Sequence, residues 1–589
     1  MWMSVVLVLL LGVAAFAVDI GHAYYVGEQA QNAADAAALS GAAFLPQDCS
    51  RGPFAADERA RAIAADNKFD AADPATTVTI VTHCDDPGAT GPRPNQIRVD
   101  VAHKVDTFFG RIFGISSLTV RRKAVGEFDP PINLGSPVSN FGSAPDCAGC
   151  FDSQMWASIS AQLNDKSTGN AITMGWCQGS ADNCPAGGSQ LNNSDADPNG
   201  ELFEIDNRGV RTLSLHLYDP AFIDTNDYCD NGRLFGKGLD PAVVLPPQVW
   251  GGGWSIAHPG ARFQPGLSQY CTGDNTNGNG WLGANARGDA SREVYEDGAR
   301  ATDTTYTLYP LVDSLNPLGA SPICSYTYNG YWGPANIPRA NPPDAAEQTF
   351  HQWDDFTSRA GCGSLDGARY VLQVRTRAQT VGTNNFSIAA CGACSGSPNR
   401  IPAPDNDVTV TAITKMALYT HAKTASGKPT FYLARVPSWA AGETLTVAFY
   451  DIGDADIGTG PLDLRILDAR TGAEFTSCTF ADPTARGVLS NRPSPWDQNA
   501  RDTDWGPLKP MGGGCSAHIT GGPSGNQFRW NGKWIVVHIP IPATYTCADD
   551  DFRDCWFQIQ YDMSNPSAQL FDTTTWYARL SANPVRLVK

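Results

Sequence analysis

The sequence has little charge, no basic residue near its start, and none of several motifs that mark catalysis. Only 17% of its 589 residues are Asp, Glu, Lys or Arg, and 42 basic against 60 acidic residues leave a net charge of −18. Such a chain repels polyanions, so nucleic-acid binding is excluded as a main role. No H-E-x-x-H, P-loop or dinucleotide fingerprint occurs. The nearest approach to a G-x-S-x-G elbow, Gly253-Trp254-Ser255-Ile256-Ala257, follows a glycine run and not a strand. No catalytic residue is assigned, and the expectation is a protein that is not an enzyme. A secreted hydrolase stays open as an alternative, because the separation of carboxylate pairs in space is invisible in a sequence. The 58 Gly and 41 Pro exclude a coiled coil as the main architecture and favour short strands and turns.

What is present points outside the cytoplasm. Sixteen cysteines is an even and high count, which suits an oxidising compartment. From Trp2 to Val18 no residue is charged, and the first basic residue is Arg51. At about 1.5 Å per residue this run makes a helix of about 25 Å, close to a hydrocarbon core of about 30 Å. A cleaved signal peptide would use Ala15-Phe16-Ala17, but it lacks a basic lead. A buried soluble helix is the third reading. The helical pattern continues past the apolar run, which favours a retained anchor: a single-pass cell-membrane protein with the bulk of the chain, after Asp19, extracytoplasmic.

Residues 19–45 are strong helix formers ended by Pro46. Ala30, Ala34, Ala38 and Ala42 recur every four residues, with Ala33, Ala37 and Gly41 alongside, making a smooth ridge that another helix could approach closely. The helix either lies on its own domain or packs beside other stems, with Asp19, Gly21, Ala30, Ala34 and Ala38 as the packing residues. The run Ala17-Val18-Asp19-Ile20-Gly21, then Tyr24-Tyr25, then Gln31-Asn32-Ala33-Ala34-Asp35-Ala36-Ala37-Ala38-Leu39, resembles the N-terminal signature of TadE/TadG-like Flp (tight adherence) pilus-assembly proteins. Asn95–Val101 and Thr107–Val120 look like the strand, short helix and strand that follow, so the resemblance covers about residues 1–128. It implies a bacterial, membrane-anchored protein, structural or accessory in pilus assembly or surface adherence, meeting pilus or secretion-system proteins through its stem. The von Willebrand A metal motif that some members carry is absent here.

After Pro130-Pro131 the texture reads as all-β. Leu213–Asp219 and Leu445–Asp451 both alternate with period two and end in Tyr-Asp. Leu311-Val312-Asp313 before Cys324 matches Ile466-Leu467-Asp468 before Cys478, and Tyr370–Val374 is paired with Trp534–His538. The expected fold is therefore mainly β: a transmembrane and stem helix (1–45), a small α/β segment (46–130), and two related jelly-roll-like β-sandwiches (131–400 and 401–589). The first sandwich carries an insert at about 225–300. Locality suggests the bridges Cys49–Cys84, Cys177–Cys184, Cys229–Cys271, Cys324–Cys362, Cys478–Cys515 and Cys547–Cys555, with Cys324–Cys362 and Cys478–Cys515 as equivalent pairs. Cys147/Cys150 and Cys391/Cys394 are left as two C-x-x-C units, a lesser zinc candidate. Asp195, Asp197, Asn199, Glu201 and Asp206 follow the spacing of a calcium loop, with a solvated turn as the alternative. Trp250, Trp254 and Trp281 in the insert are candidates for stacking on surface glycans, which keeps a carbohydrate-binding adhesin as a further reading.

Overall fold

The computed structural model describes residues 2–45, 56–83, 91–142, 153–172, 196–224, 300–332, 353–392, 405–423, 428–452, 462–481, 514–520, 534–563, 569–580 and 585–588, less 94, 130, 163, 165–168, 209–210, 315, 379, 429, 477 and 550, together with Asp274 and Thr349. The chain divides into two compact units, residues 1–131 with 312–319 and 582–589, and residues 132–311 with 320–581. Among the described residues the protein is mainly β, in sheets, with few helices.

The small unit holds helices α1 (Trp2–Ala42) and α2 (Ala56–Asp66) and strands β1 (Thr76–Thr82), β2 (Gln96–Asp106) and β3 (Ser117–Phe128), with Val585–Val588, β28 by chain order, closing the sheet in the order β1-β2-β3-β28. Alternation in β2 puts Ile97, Val99 and Val101 on one buried face. They share one core with Ala30, Ala33, Ala34, Ala37, Ala38 and Ala42 of α1 and Ala56, Ala60 and Ala64 of α2. The alanine ridge thus lies on its own domain, against sheet and α2, and Ala30, Ala34 and Ala38 are not free to pack on another stem. Close approach also requires glycine: a Cβ on Gly126 of β3 would sit 2.2 Å from the Ala38 carbonyl oxygen, and one on Gly41 2.8 Å from that of Ala56. Among the described residues, no helix is long and apolar enough to cross a membrane.

The large unit opens with β4 (Asn133–Leu134) and β5 (Asn140–Phe141). Its first half continues with β6 (Ser153–Ser160), β7 (Glu201–Asn207), β8 (Ser214–Tyr218), β9 (Ile223–Asp224), β10 (Arg300–Ala301), β11 (Thr304–Pro310), β12 (Cys324–Tyr328), β13 (Tyr331–Trp332), β14 (Trp353–Asp355), helix α3 (Phe356–Ala360), β15 (Arg369–Thr376), β16 (Thr380–Val381) and β17 (Thr383–Cys391). The second half holds β18 (Val408–Ile413), β19 (Lys415–Lys423), β20 (Thr430–Arg435), β21 (Thr444–Tyr450), β22 (Leu462–Asp468), β23 (Thr479–Ala481), β24 (Ser516–Thr520), β25 (Trp534–Pro540), β26 (Trp556–Met563) and β27 (Gln569–Leu580).

Eight strands of each half follow one plan. The first half's sheets run β14-β8-β17-β6 and β12-β11-β15-β7, and the second half's run β25-β21-β27-β19 and β24-β22-β26-β20. Matched in sheet position, the strands are also matched in chain order. β8 and β21 are equivalent, and each is followed by a buried aspartate at positive φ, Asp219 at 50° and Asp451 at 61°. The pairing of Tyr370–Val374 with Trp534–His538 is corrected: the first lies in β15, whose counterpart is β26, while the second lies in β25, whose counterpart is β14. With three residues, β14 carries no readable alternation. Residues 219–303 separate β8 from β11 where 451–461 separate their counterparts, which locates the insert in the first half.

The halves are one body. β6 pairs antiparallel with β19, Ala157 opposite Leu418, so two four-stranded layers become a single sheet. β18 leads into the second half yet pairs with β7 of the first, and Gly135, just after β4, bridges to Tyr432 of β20. Each half therefore lends its lead segment to the other. One continuous core results, running from Phe203 and Leu372 to Leu464 and Phe557. The expected boundary at 400/401 falls inside this unit.

Candidate functional site

The most organised polar feature of the small unit is built on Asp19. The long helix α1 brings this residue beside the turn between β2 and β3, where Thr107-Phe108-Phe109 leads into a 3-10 turn, Gly110–Phe113, ended by Gly114 at φ +82°. Its carboxylate accepts hydrogen bonds from three successive backbone N–H groups, those of Phe108 (2.6 Å), Phe109 (3.1 Å) and Gly110 (2.7 Å). This is a capping arrangement delivered from a distant segment, with charged acceptors strengthening each bond. Inside the loop Arg111 Nε donates to the Thr107 carbonyl at 2.6 Å. The Phe16 ring stacks on Phe113 at 5.6 Å, and His22 tilts against Phe108 at 5.2 Å. Removal from water pushes the Asp19 carboxyl upward, but the backbone donors of Phe108, Gly110 and Phe109, aided by the Arg111 charge, outweigh this and hold it below the usual carboxylate range.

Apolar side chains surround this clamp. Phe108, Phe109, Ile112, Phe113 and Ile115 of the loop are exposed, and so are Leu10, Val13, Phe16, Val18, Ile20, Tyr24 and Tyr25 of the helix. Gly21 has open space about it. Isolated exposed apolar residues are ordinary, but here loop and helix expose them side by side where Phe113 meets Phe16 and Phe108 meets His22. The signal was in the sequence: a turn of composition F-F-G-R-I-F-G-I has few of the polar residues that a solvated loop uses.

The calcium spacing does not become a cage. Asp195 lies outside the described residues. Asp197 forms an ion pair with Lys415 and accepts from Asn199 N at 2.8 Å, and Gly200 turns the chain at φ +72°. Glu201 then begins β7, which pairs on both sides with β15 and β18. An extended strand holds Glu201 and Asp206 about 16 Å apart at about 3.3 Å per residue, whereas a calcium loop folds its ends onto one ion. Asp206 is ion-paired to Arg208 at 3.2 Å. Burial raises the Glu201 carboxyl well above its usual range.

Three of the expected bridges are formed, Cys324–Cys362, Cys478–Cys515 and Cys547–Cys555. The first two are not equivalent. Cys324 opens β12 and Cys515 immediately precedes its counterpart β24, but Cys362 follows β12 while Cys478 precedes β24. Cys391 is disulfide-bonded, which removes it as a zinc thiolate. Cys547 and Cys555 lie with Asp549 in a tight group, but their sulfurs are joined to each other and Asp549 accepts from Ser438 N at 2.7 Å. Cys49, Cys84, Cys147, Cys150, Cys177, Cys184, Cys229, Cys271 and Cys394, with Trp250, Trp254 and Trp281, lie outside the described residues. A cleft of about 170 Å³ in the large unit is lined by Arg208, Asp405, Asp407 and Phe552, with Phe552 between the guanidiniums of Arg208 (4.9 Å) and Arg435 (4.8 Å). Of its charged residues, Arg208 pairs with Asp206, and Asp405 and Asp407 pair with Arg211.

The helix, its clamp and the loop all fall in one stretch of chain that known proteins share. Residues 1–125 match Flp pilus-assembly families. Residues 1–43 match the family described as putative Flp pilus-assembly TadE/G-like, and residues 28–125 the family described as putative Tad-like Flp pilus-assembly. Asp19 lies in the first match and the loop amides it binds lie in the second, so the clamp ties the two Tad segments together. No curated protein and no solved structure matches the chain.

Proposed function

We propose that this protein is a non-enzymatic, membrane-anchored component of the cell envelope, structural or accessory in Flp/Tad pilus assembly, whose N-terminal helix is set in the membrane and whose β unit is presented on the oxidising side. The observation that carries this reading is that the Flp pilus-assembly match falls on a unit whose long helix continues into an uncharged run, Trp2–Val18, with Leu10, Val13 and Phe16 exposed. Exposed apolar side chains of that density are costly in water and stable in lipid. The formed disulfides support the extracytoplasmic placement. The repeated strand plan supports two jelly rolls fused edge to edge, one body suited to display.

The test is fractionation of cells expressing the full chain. The protein is expected in membranes after alkaline washing, with Cys324 and Cys362 oxidised, and removal of residues 2–18 is expected to release it. Full-length protein found soluble without detergent refutes the anchor. Pilus number unchanged on deleting the gene from a piliated host refutes the assembly role.

A further inference from the structure

We infer that the loop 107–115 is a second lipid contact, a foot that seats in the interfacial layer of the bilayer beside the point where α1 enters it. This rests on the anchoring reading above and adds to it a surface that no part of the apolar run supplies. In the loop, Phe108, Phe109, Ile112, Phe113 and Ile115 are all exposed, Ile112 to 77%. Burial elsewhere in the small unit is otherwise complete for aliphatic residues of the β2 core face, so these side chains are not overflow from a crowded interior.

A lipid surface, and not a protein groove, is the occupant that the geometry favours. Phe16 and Val18 are both exposed, and two residues at about 100° each place them on nearly opposite sides of the helix. A partner with one groove covers one stripe, whereas apolarity around the whole circumference suits lipid. The loop stands where that segment meets its first charge. There the Asp19 carboxylate does not face water: the Phe108, Phe109 and Gly110 amides take it up. An ionised group at the border of a bilayer is tolerated when fixed dipoles satisfy it in this way. Beyond it Tyr24 and Tyr25 are exposed, and Arg111, bonded to Thr107 and paired with Asp106, keeps more than half of its side chain in solvent, the residue types that collect at headgroup level. The clamp therefore has two effects at once: it satisfies the border charge with fixed dipoles and holds the loop against the helix, where Phe113 stacks on Phe16 and Phe108 meets His22.

The experiment places a photocrosslinking benzophenone amino acid singly at Ile112, at Leu10 or at exposed Asp70 of the full-length protein, reconstituted in phosphatidylethanolamine–phosphatidylglycerol vesicles. Lipid adducts are then measured by mass spectrometry after irradiation. Adducts are expected at Ile112 and Leu10 and absent at Asp70. Adducts at Leu10 without any at Ile112 overturn the foot and leave the anchor standing. Adducts at neither position overturn both readings. Crosslinks from Ile112 to a second copy of the chain overturn the lipid assignment.

Discussion

Replacing Gly126 by alanine should damage the small unit out of proportion to one methyl group. Gly126 sits in β3 with Ile97 opposite it in β2 and Leu587 in β28, its bare face under α1. A Cβ there would lie 2.2 Å from the Ala38 carbonyl oxygen, 2.6 Å from its carbon and 3.2 Å from the Ala42 Cβ. Ordinary carbon–oxygen contact is about 3.3 Å, so the helix must retreat by about 1 Å. A gap of that size forfeits a quarter to a half of each dispersion contact along the Ala30, Ala34 and Ala38 row. Overpacking of this kind costs about 3 kcal/mol, at the upper end of its usual range because the opposing atoms are backbone and no rotamer change clears them. The assay is native-state hydrogen exchange of the Val99 and Val101 amides, which reports on this unit alone. Protection should fall about a hundredfold, since about 1.4 kcal/mol is tenfold. Ala38→Gly added to Gly126→Ala should not rescue it, because the clash is with the main chain. Rescue, or a change below about 0.5 kcal/mol, would refute the packing argument.

Asp19→Ala should speed exchange of the Phe108, Phe109 and Gly110 amides. Because the folded carboxyl lies below its unfolded value of about 3.9, the wild-type advantage should be complete above that pH and vanish on acidification through the folded value, and equal exchange in both proteins at neutral pH would disprove the clamp. For Glu201 the sign is opposite. Its raised folded value means that wild-type stability declines as pH rises above about 4.3, so Glu201→Gln should raise the melting temperature at neutral pH and leave it unchanged in acid, a difference that calorimetry resolves. Serine at Cys324 and Cys362 opens a 38-residue link and should cost about 4 kcal/mol, against about 2.5 kcal/mol for the 8-residue Cys547–Cys555 link. Denaturant midpoints in the reverse order would contradict the loop-entropy account.

Local pattern was readable wherever one element sets its own periodicity. The four-residue spacing of Ala30, Ala34 and Ala38 marked a close-packing face, and the twin Tyr-Asp strands marked a duplication that β8 and β21 carry out. The pattern failed where a second segment decides. Asp197-Pro198-Asn199-Gly200 reads equally as a cation loop or as a turn, and only the pairing of β7 with two neighbours draws Glu201 and Asp206 apart. The third strand match went astray because β14 and β25 differ in length. The equivalence of two disulfides was inferred from locality and the duplication, which are blind to the side of the strand on which each cysteine lies.

By itself the sequence determined composition-level and periodic facts: an acidic, cysteine-rich, mainly β chain behind an uncharged helical start that resembles Flp pilus-assembly proteins. The resemblance rests on particular runs of residues, and the rest follows from side-chain chemistry and from periods of 3.6 and 2, which are local. Tertiary structure alone decided what each surface meets. It turned the alanine ridge inward onto β3, joined two expected sandwiches through β6 and β19, and brought Asp19 to amides some 90 positions away. Backbone N–H groups are the same in every residue but proline, so the letters do not mark which of them a carboxylate will find.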